Sequence, residues 1–342
     1  MPSSSQPAAP RPRGRRWLRW LRRTGYVLLA ALLVFVFGFL PWFLGNRVTK
    51  GRFVYNDREN AGLTPQSFSL PFEDVSFQAP DGVTLKGWWI PAEDARGTVV
   101  LVHGLNRSRI EMIRKAPFLH QHGWNALVFD LRGHGESGSA ARTLGWFEKD
   151  DVRAARAFAQ TRSAGPAVLW GVSLGAAAAA LAAADDPSVA GLVCDSSYRS
   201  LPDTVRHHVD LARHATPWLR PIPPWPVTQE LLFWIGRSGR FDPDAADVRA
   251  AAARLGGRPA LFVANSGDRR MPQEIAFELK AVAGDHAKVL VVPGHSHGGA
   301  WREGTAAYES AVADLLREAA GHRLADAGIP TGQVLRAERS VP

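Results

Sequence analysis

Ser173 sits in Gly171-Val172-Ser173-Leu174-Gly175, and its neighbours on both sides give that serine a chemical meaning. The residues before it, Ala167-Val168-Leu169-Trp170, are a short apolar run that reads as a buried strand. Those after it, Ala176 to Ala184, are nearly all alanine and leucine and read as a helix. A serine on a tight turn between strand and helix has its hydroxyl lifted clear of the sheet. The helix start then offers unpaired N–H groups to a developing oxyanion. A side chain at Gly171 or Gly175 would crowd such a turn. The pattern makes Ser173 a candidate nucleophile for acyl transfer rather than an ordinary helix-capping serine.

A serine nucleophile needs a base, and the base needs a carboxylate to orient it. Asp268 follows the apolar run Ala260 to Ala264 through Asn265-Ser266-Gly267. His297 follows Lys288 to Val292 through Pro293-Gly294-His295-Ser296. Both loops leave the C-terminal end of a strand, the edge at which a parallel sheet gathers its functional groups. Two alternatives compete from nearby positions. His295 lies two residues from His297, and Asp195 ends the strand Val189 to Cys194.

These residues need a parallel sheet to bring them together. Val75 to Gln78 and Val83 to Ile90, joined by Pro80-Asp81-Gly82, read as an antiparallel hairpin. Strands then alternate with helices: strands at 98–102, 126–129, 167–170, 189–194, 260–264 and 288–292, and helices at 107–122, 146–160, 176–184, 273–283 and 302–319. Short apolar strands separated by helices predict a doubly wound, mostly parallel α/β sheet covered on both faces. The interruption at about 198–242 is rich in proline and carries Trp218, Trp225, Phe233 and Trp234. At the C-terminal edge of the sheet it would form a helical cap over the site. Its tryptophans could also reach a bilayer.

The sequence from about residue 72 to 318 resembles the α/β-hydrolase superfamily. It is most similar to the branch of single-pass, membrane-associated serine hydrolases and to the serine aminopeptidase-like group. Val102-His103-Gly104 resembles the His-Gly oxyanion segment, and Asp130 to Ser137 the Asp-x-Arg-Gly-x-Gly-x-Ser turn. Gly267-Asp268 with Met271-Pro272 resembles the acid loop, and His297 precedes Trp301 by four residues as the family's base often precedes an aromatic one. The resemblance implies a triad of Ser173, Asp268 and His297, in the chain order Ser, Asp, His. It implies an oxyanion hole from the backbone N–H groups of Leu105 and Leu174. His103, Gly104, Gly171 and Gly175 would support these groups, and no cofactor or metal is implied.

The chain has 342 residues and a formal charge of +9, but the charge is concentrated. Seven arginines and no acid occupy residues 1–23, so a nucleic-acid partner is not expected for the remainder. From Thr24 to Asn46 there is no charge, and Tyr26 to Leu40 is almost continuous Leu, Val, Ala and Phe. That is long enough to cross a ~30 Å hydrocarbon layer as a helix. Trp17, Trp20, Trp42 and Phe43 flank it as interfacial aromatics do. No small-x-small cleavage site follows, which favours an uncleaved anchor over a signal peptide. The arginine bias places the N-terminus in the cytoplasm and the catalytic domain outside the cell membrane. The domain scheme is a basic tail (1–23), a transmembrane anchor (24–45), a linker (46–72), a hydrolase domain (73–320) and an irregular tail (321–342).

Three other patterns carry less. Gly133 to Gly138 matches G-x-G-x-x-G, but Asp150 and Asp151 fall within a helix rather than at a strand end, against a dinucleotide site. His295/His297 and His207/His208 lack the carboxylate and histidine spacing of a zinc site. Cys194, the single cysteine, lies among apolar residues and reads as an inert core thiol. The expectation is a membrane-anchored serine hydrolase that cleaves esters or thioesters of a small or lipid-like acyl substrate. A serine aminopeptidase-like peptidase and a catalytically silent scaffold are the alternatives.

Overall fold

A computed structural model describes residues 14–50 and 60–326. Eight strands, β1 (Glu73–Gln78), β2 (Thr84–Ile90), β3 (Thr98–Val102), β4 (Asn125–Phe129), β5 (Ala167–Val172), β6 (Val189–Asp195), β7 (Ala260–Asn265) and β8 (Ala287–Val292), form one sheet. Their order is β1-β2-β4-β3-β5-β6-β7-β8. The β1/β2 and β2/β4 pairs are antiparallel and the rest parallel. Strand β4 is added on one side of β3 and β5 on the other, so the winding order reverses at β3, as in an α/β-hydrolase sheet with helices on both sides.

Strands β3 to β7 are buried along their whole length because helices cover both faces. Their side chains are apolar except at strand ends, where Thr98, Asn125, Asp195 and Asn265 stand. Alternate residues serve alternate layers. Val100, Val102, Leu127, Phe129 and Leu169 face the helices Glu148–Arg162 and Leu174–Ala184. Val99, Leu101, Val128, Val168 and Trp170 face the opposite layer, which includes Ala116–Gln121 and the C-terminal helix. Alanine dominates Leu174–Ala184 because the helix lies in the centre of the body, buried on all sides.

The segment predicted as one helix at 107–122 divides into a tight turn of 3₁₀ helix, Arg109–Lys115, and the α-helix Ala116–Gln121, which Pro117 helps to start. The last predicted helix is likewise broken. Ala300–Glu303 and Thr305–Asp326 meet at Gly304, where a Cβ would stand 2.6 Å from Val292 Cγ1. A short helix at Val248–Ala252, capped by Asp247, has too few residues to show a period in the sequence.

At the N-terminus a continuous helix runs from Gly14 to Lys50, so it overruns the predicted 24–45 segment at both ends. A π-turn at Phe35–Phe39 precedes Pro41, where a regular α-turn would clash with the proline ring. Residues 1–10, most of the predicted tail and part of the linker lie outside the described residues. Between β6 and β7 the helices Leu201–Ala215 and Pro224–Gly239 fill the predicted interruption. The second packs along the end of the N-terminal helix, with Trp234 against Gly45 and Asn46 Oδ1 accepting from Ser238 Oγ at 3.0 Å. Trp225 and Phe233 remain exposed.

Arg132 is buried between Asp151, which it meets at 2.7 and 3.0 Å, and Asp81 at 2.7 Å. Asp151→Ala would leave that guanidinium buried with only a half-exposed partner, at a cost of about 3–5 kcal/mol. Thermal unfolding in detergent should show a large drop in Tm for this variant. It should show almost none for Arg317→Ala, which removes an exposed ion pair with Asp314.

Candidate active site

Ser173 occupies φ 54° and ψ −116°, a conformation that side chains other than glycine rarely adopt. The backbone on both sides holds it there. Its N–H donates to the Asp195 carbonyl at 2.8 Å, and its carbonyl accepts from Ala177 N–H at 3.1 Å. A Cβ on Gly171 would fall 2.2 Å from the Gly175 carbonyl oxygen, and one on Gly175 would fall 2.3 Å from that of Val102. Both glycines are therefore needed for the helix to start this close to β3 and β5.

His297 lies beside that serine. Its Nε2 is 2.8 Å from Ser173 Oγ and its Nδ1 is 2.7 Å from Asp268 Oδ2. With Nδ1–H donating to the carboxylate, Nε2 is left as an acceptor for the serine hydroxyl. Asp268 Oδ1 accepts the backbone N–H groups of Arg270 at 2.8 Å and Met271 at 3.2 Å. Burial alone would raise the Asp268 pKa, but the hydrogen bond and charge interaction with His297 and the two N–H donors outweigh it, and the pKa is lowered. The carboxylate thus stays ionised beside the imidazole.

The competing residues have other partners. His295 is exposed and its ring packs over the backbone of Gly267, where a Cβ would overlap it. Asp195 accepts from Ser196 Oγ at 2.8 Å and from Tyr308 Oη at 3.0 Å. Burial raises its pKa despite those bonds. The Ser196 hydroxyl also accepts from Gly298 N–H at 3.2 Å, which ties the histidine loop to the end of β6.

The loop after β3 is held at several atoms. His103 is fully buried, donates from Nδ1 to the Gly104 carbonyl at 2.8 Å and accepts Leu131 N–H at Nε2 at 3.0 Å. Both of its ring nitrogens are thereby engaged with the backbone. Gly104 N–H donates to Glu111 Oε2 at 2.7 Å, and Asn106 N–H to His134 Nε2 at 3.2 Å. A Cβ on Gly104 would lie 3.5 Å from that of Ser173, so this loop lines the serine. Leu174 N–H belongs to the first residue of its helix and has no intrahelical acceptor. Among the described residues neither it nor Leu105 N–H has a hydrogen-bond acceptor.

Sequence reasoning missed Glu111, Asn106 and Arg142, whose Nη1 donates to Asn106 Oδ1 at 2.7 Å. None belongs to a recognisable motif, and their partners are distant in sequence. The remaining patterns resolve as structure. In the Gly133–Gly138 turn Asp130 accepts from Arg109 N–H and Glu136 N–H, which leaves the glycines in a closed turn. His207 and His208 donate to the carbonyls of Arg269 and Thr204. No cluster of metal-ligating side chains occurs among the described residues. Cys194 is buried and its thiol is pushed up to about 12, which leaves it unreactive.

Comparison with known proteins places these features in a wider group. The model of the serine aminopeptidase, S33 family matches residues 93–238. An uncharacterised protein of Mycobacterium tuberculosis is 31% identical over 245 residues, covering 70% of this chain and 77% of its own. An uncharacterised Bacillus subtilis protein is 23% identical over 206 residues, and the match spans 65% of its length, just under two thirds. Among solved structures, an esterase of Pyrococcus furiosus is similar with TM-score 0.62 at 23% identity, covering 78% of this chain and 96% of that one. A thermophilic esterase from Thermogutta terrifontis matches with TM-score 0.53 at 20% identity, covering 72% and 99%. At these identities the structural matches establish the fold.

Burial pushes His103 down to about 4 from an ordinary 6.5, and His134, whose ring adjoins it, is likewise pushed to about 4 by burial and by His103. Above pH 6.5 both are neutral folded or unfolded. As pH falls from 6.5 toward 4 the unfolded chain takes up protons that the folded chain refuses, so stability is lost over that window. The gap amounts to on the order of 3 kcal/mol for His103. Tm in detergent should therefore fall between pH 6.5 and 4.5, and His103→Asn should show a shallower fall. Equal slopes for the two proteins would mean that His103 is not held neutral.

Proposed function

We propose a serine esterase function for this chain, which belongs to the α/β-hydrolase superfamily. The observation that carries the reading is the unbroken hydrogen-bonded line from Ser173 Oγ through His297 to Asp268. Ser173 Oγ attacks the acyl carbon while its proton passes to His297 Nε2. The N–H groups of Leu105 and Leu174 receive the negative charge that develops on the carbonyl oxygen, where one such donor contributes on the order of 3 kcal/mol. As the tetrahedral intermediate collapses, His297 gives its proton to the departing alcohol or thiol. Water then attacks the acyl-enzyme with His297 again as base, and the carboxylate product leaves with Ser173 reprotonated. Asp268, ionised and fixed by two backbone donors, keeps the imidazole in the tautomer that each step needs.

The substrate we assign is an ester or thioester with an apolar acyl group. Support comes from the helix over Trp17–Lys50, long and apolar enough to cross a membrane, and from the exposed Trp225 and Phe233 on the neighbouring helix. We assign the N-terminal helix as an anchor in the cell membrane, with the arginine-rich end in the cytoplasm and the catalytic body outside. In this reading the helices between β6 and β7 cap the site.

An aminopeptidase needs free carboxylates to hold a substrate ammonium. Of the four carboxylates in the 198–242 segment, Asp203, Asp210, Glu230 and Asp242, the first pairs with Arg206, the second with Arg213, and Asp242 caps Asp244 N–H. Those engagements favour an ester over an aminoacyl amide.

A fluorophosphonate probe should label the wild-type protein and not Ser173→Ala, and p-nitrophenyl butyrate should be cleaved in preference to aminoacyl p-nitroanilides. Labelling of Ser173→Ala equal to wild type would remove Ser173 as nucleophile. Asp268→Asn should lower kcat on the order of 10³–10⁴-fold with the fold intact, since the imidazole loses its preferred tautomer.

A further inference from the structure

We propose that Arg142 is a positioning residue for the oxyanion loop, and that it makes the end of the N-terminal helix part of the catalytic scaffold. The proposal rests on the esterase reading above, in which Leu105 N–H is an oxyanion donor. In the segment Gly104 to Arg107, three N–H groups have acceptors: Gly104 on Glu111, Asn106 on His134, and Arg107 on the Gly104 carbonyl. The Leu105 N–H alone has none among the described residues. Its direction is thus set by the bonds on either side of it. On the C-terminal side Asn106 adopts φ 59°, a left-handed conformation that needs support.

Arg142 supplies that support, with its own position fixed from the membrane helix. Its side chain is almost entirely buried, at 2% exposure. Nη1 donates to Asn106 Oδ1 at 2.7 Å and Nη2 to the Arg47 carbonyl at 3.3 Å, while its backbone N–H donates to the Thr49 carbonyl at 2.9 Å. Arg47 and Thr49 lie in the last turn of the helix Leu40–Lys50, where among the described residues their carbonyls have no intrahelical donor. One guanidinium therefore satisfies a helix terminus and a strained loop residue together. The N-terminal helix is in turn locked to the body, since Thr49, Gly45 and Pro41 form its buried stripe and Gly45 has no room for a side chain beside Trp234. Movement of the membrane helix would be felt at Asn106, and through it at the Leu105 N–H.

The test uses the full chain in detergent micelles or vesicles with p-nitrophenyl butyrate as probe. Asn106→Ala removes the loop end of the relay and leaves Arg142 on its carbonyls, so it is the milder change to the folded state, whereas Arg142→Ala also empties the buried space of the guanidinium. We expect kcat to fall roughly 10- to 100-fold in each variant with KM nearly unchanged, as for a small displacement of a transition-state donor. We expect Asn106→Ala to lower Tm by a few degrees, through the lost hydrogen bond and the positive φ, and to remain fully folded at the assay temperature. The double variant should be no slower than the slower single one, because both changes break one relay. Unchanged kcat in Asn106→Ala, or multiplicative losses in the double variant, would overturn the proposal. If Ser173→Ala were as active as wild type, the esterase reading would fail and the relay with it. Wild-type activity that depends on Ser173, with kcat unmoved in Asn106→Ala, would defeat the relay alone.

Discussion

The conformation of one residue constrains the rest of the molecule. A serine at positive φ is unfavourable by on the order of 1–3 kcal/mol, and it persists only where the surroundings leave no alternative. Here β5 is paired on both sides, with β3 and β6, so its end cannot shift. The helix that follows presses its first turn against the carbonyls of Val102 and His103, a contact that only Gly175 permits. Ala176 to Ala180 continue that close approach with the smallest side chains that still favour a helix. The alanine-rich composition of this helix thus serves both its burial on all sides and the turn before it. Larger residues would push the helix away and release the strain at Ser173.

Two buried carboxylates end adjacent elements at this edge, and their surroundings separate their roles. Asp195 faces the hydroxyls of Ser196 and Tyr308, and the Tyr308 hydroxyl accepts from Trp170 Nε1 at 3.1 Å. Lys115, itself buried, lies 5.7 Å and 5.4 Å from the ring centres of Trp170 and Trp301 and attracts Asp195 electrostatically. This group forms a floor of aromatic rings and side-chain hydrogen bonds under the histidine loop. Asp268, by contrast, turns one oxygen to backbone N–H groups and the other to an imidazole. The same side chain at the ends of β6 and just past β7 is structural in one place and fit for orienting a base in the other. Hydrogen-bond donors decide the difference.

Local patterns made the sheet readable. Apolar runs of four to seven residues with glycine and proline at their ends placed the strands to within a residue or two, since buried parallel strands have little freedom in composition. Ser173, Asp268 and His297 could be singled out because each follows such a strand by a short loop, and the strand ends fall on one edge. What the sequence could not reveal depends on contacts between distant segments. The break of the last helix at Gly304 arises from Val292, and the carbonyls of Arg47 and Thr49 find donors on Arg142, some ninety residues away in the chain. Asn106, Glu111 and Arg142 look like ordinary polar loop residues until the fold brings their partners to them. The sequence separates His295 from His297 only by the four-residue spacing of His297 to Trp301, because two residues on a loop do not set which ring turns inward.

Buried arginines explain how loops at this edge acquire fixed positions without regular secondary structure. Apolar burial supplies a large, non-directional driving force, enough to assemble strands and helices but poorly suited to setting the path of a loop. Arg132 joins the turn after β4 to Asp151 in the following helix and to the β1–β2 hairpin at Asp81. Arg109 joins the segment after β3 to Asp130 and Glu136 and lies 4.3 Å over the Trp88 ring. Arg142 holds the amide oxygen of Asn106 and the Arg47 carbonyl near a helix end. A planar group with five donors can hold several acceptors in one geometry, which a lysine could not reproduce. The sheet therefore determines where the loops begin, and these guanidinium groups determine where they run. The precision needed for hydrogen bonds around Ser173 follows from both.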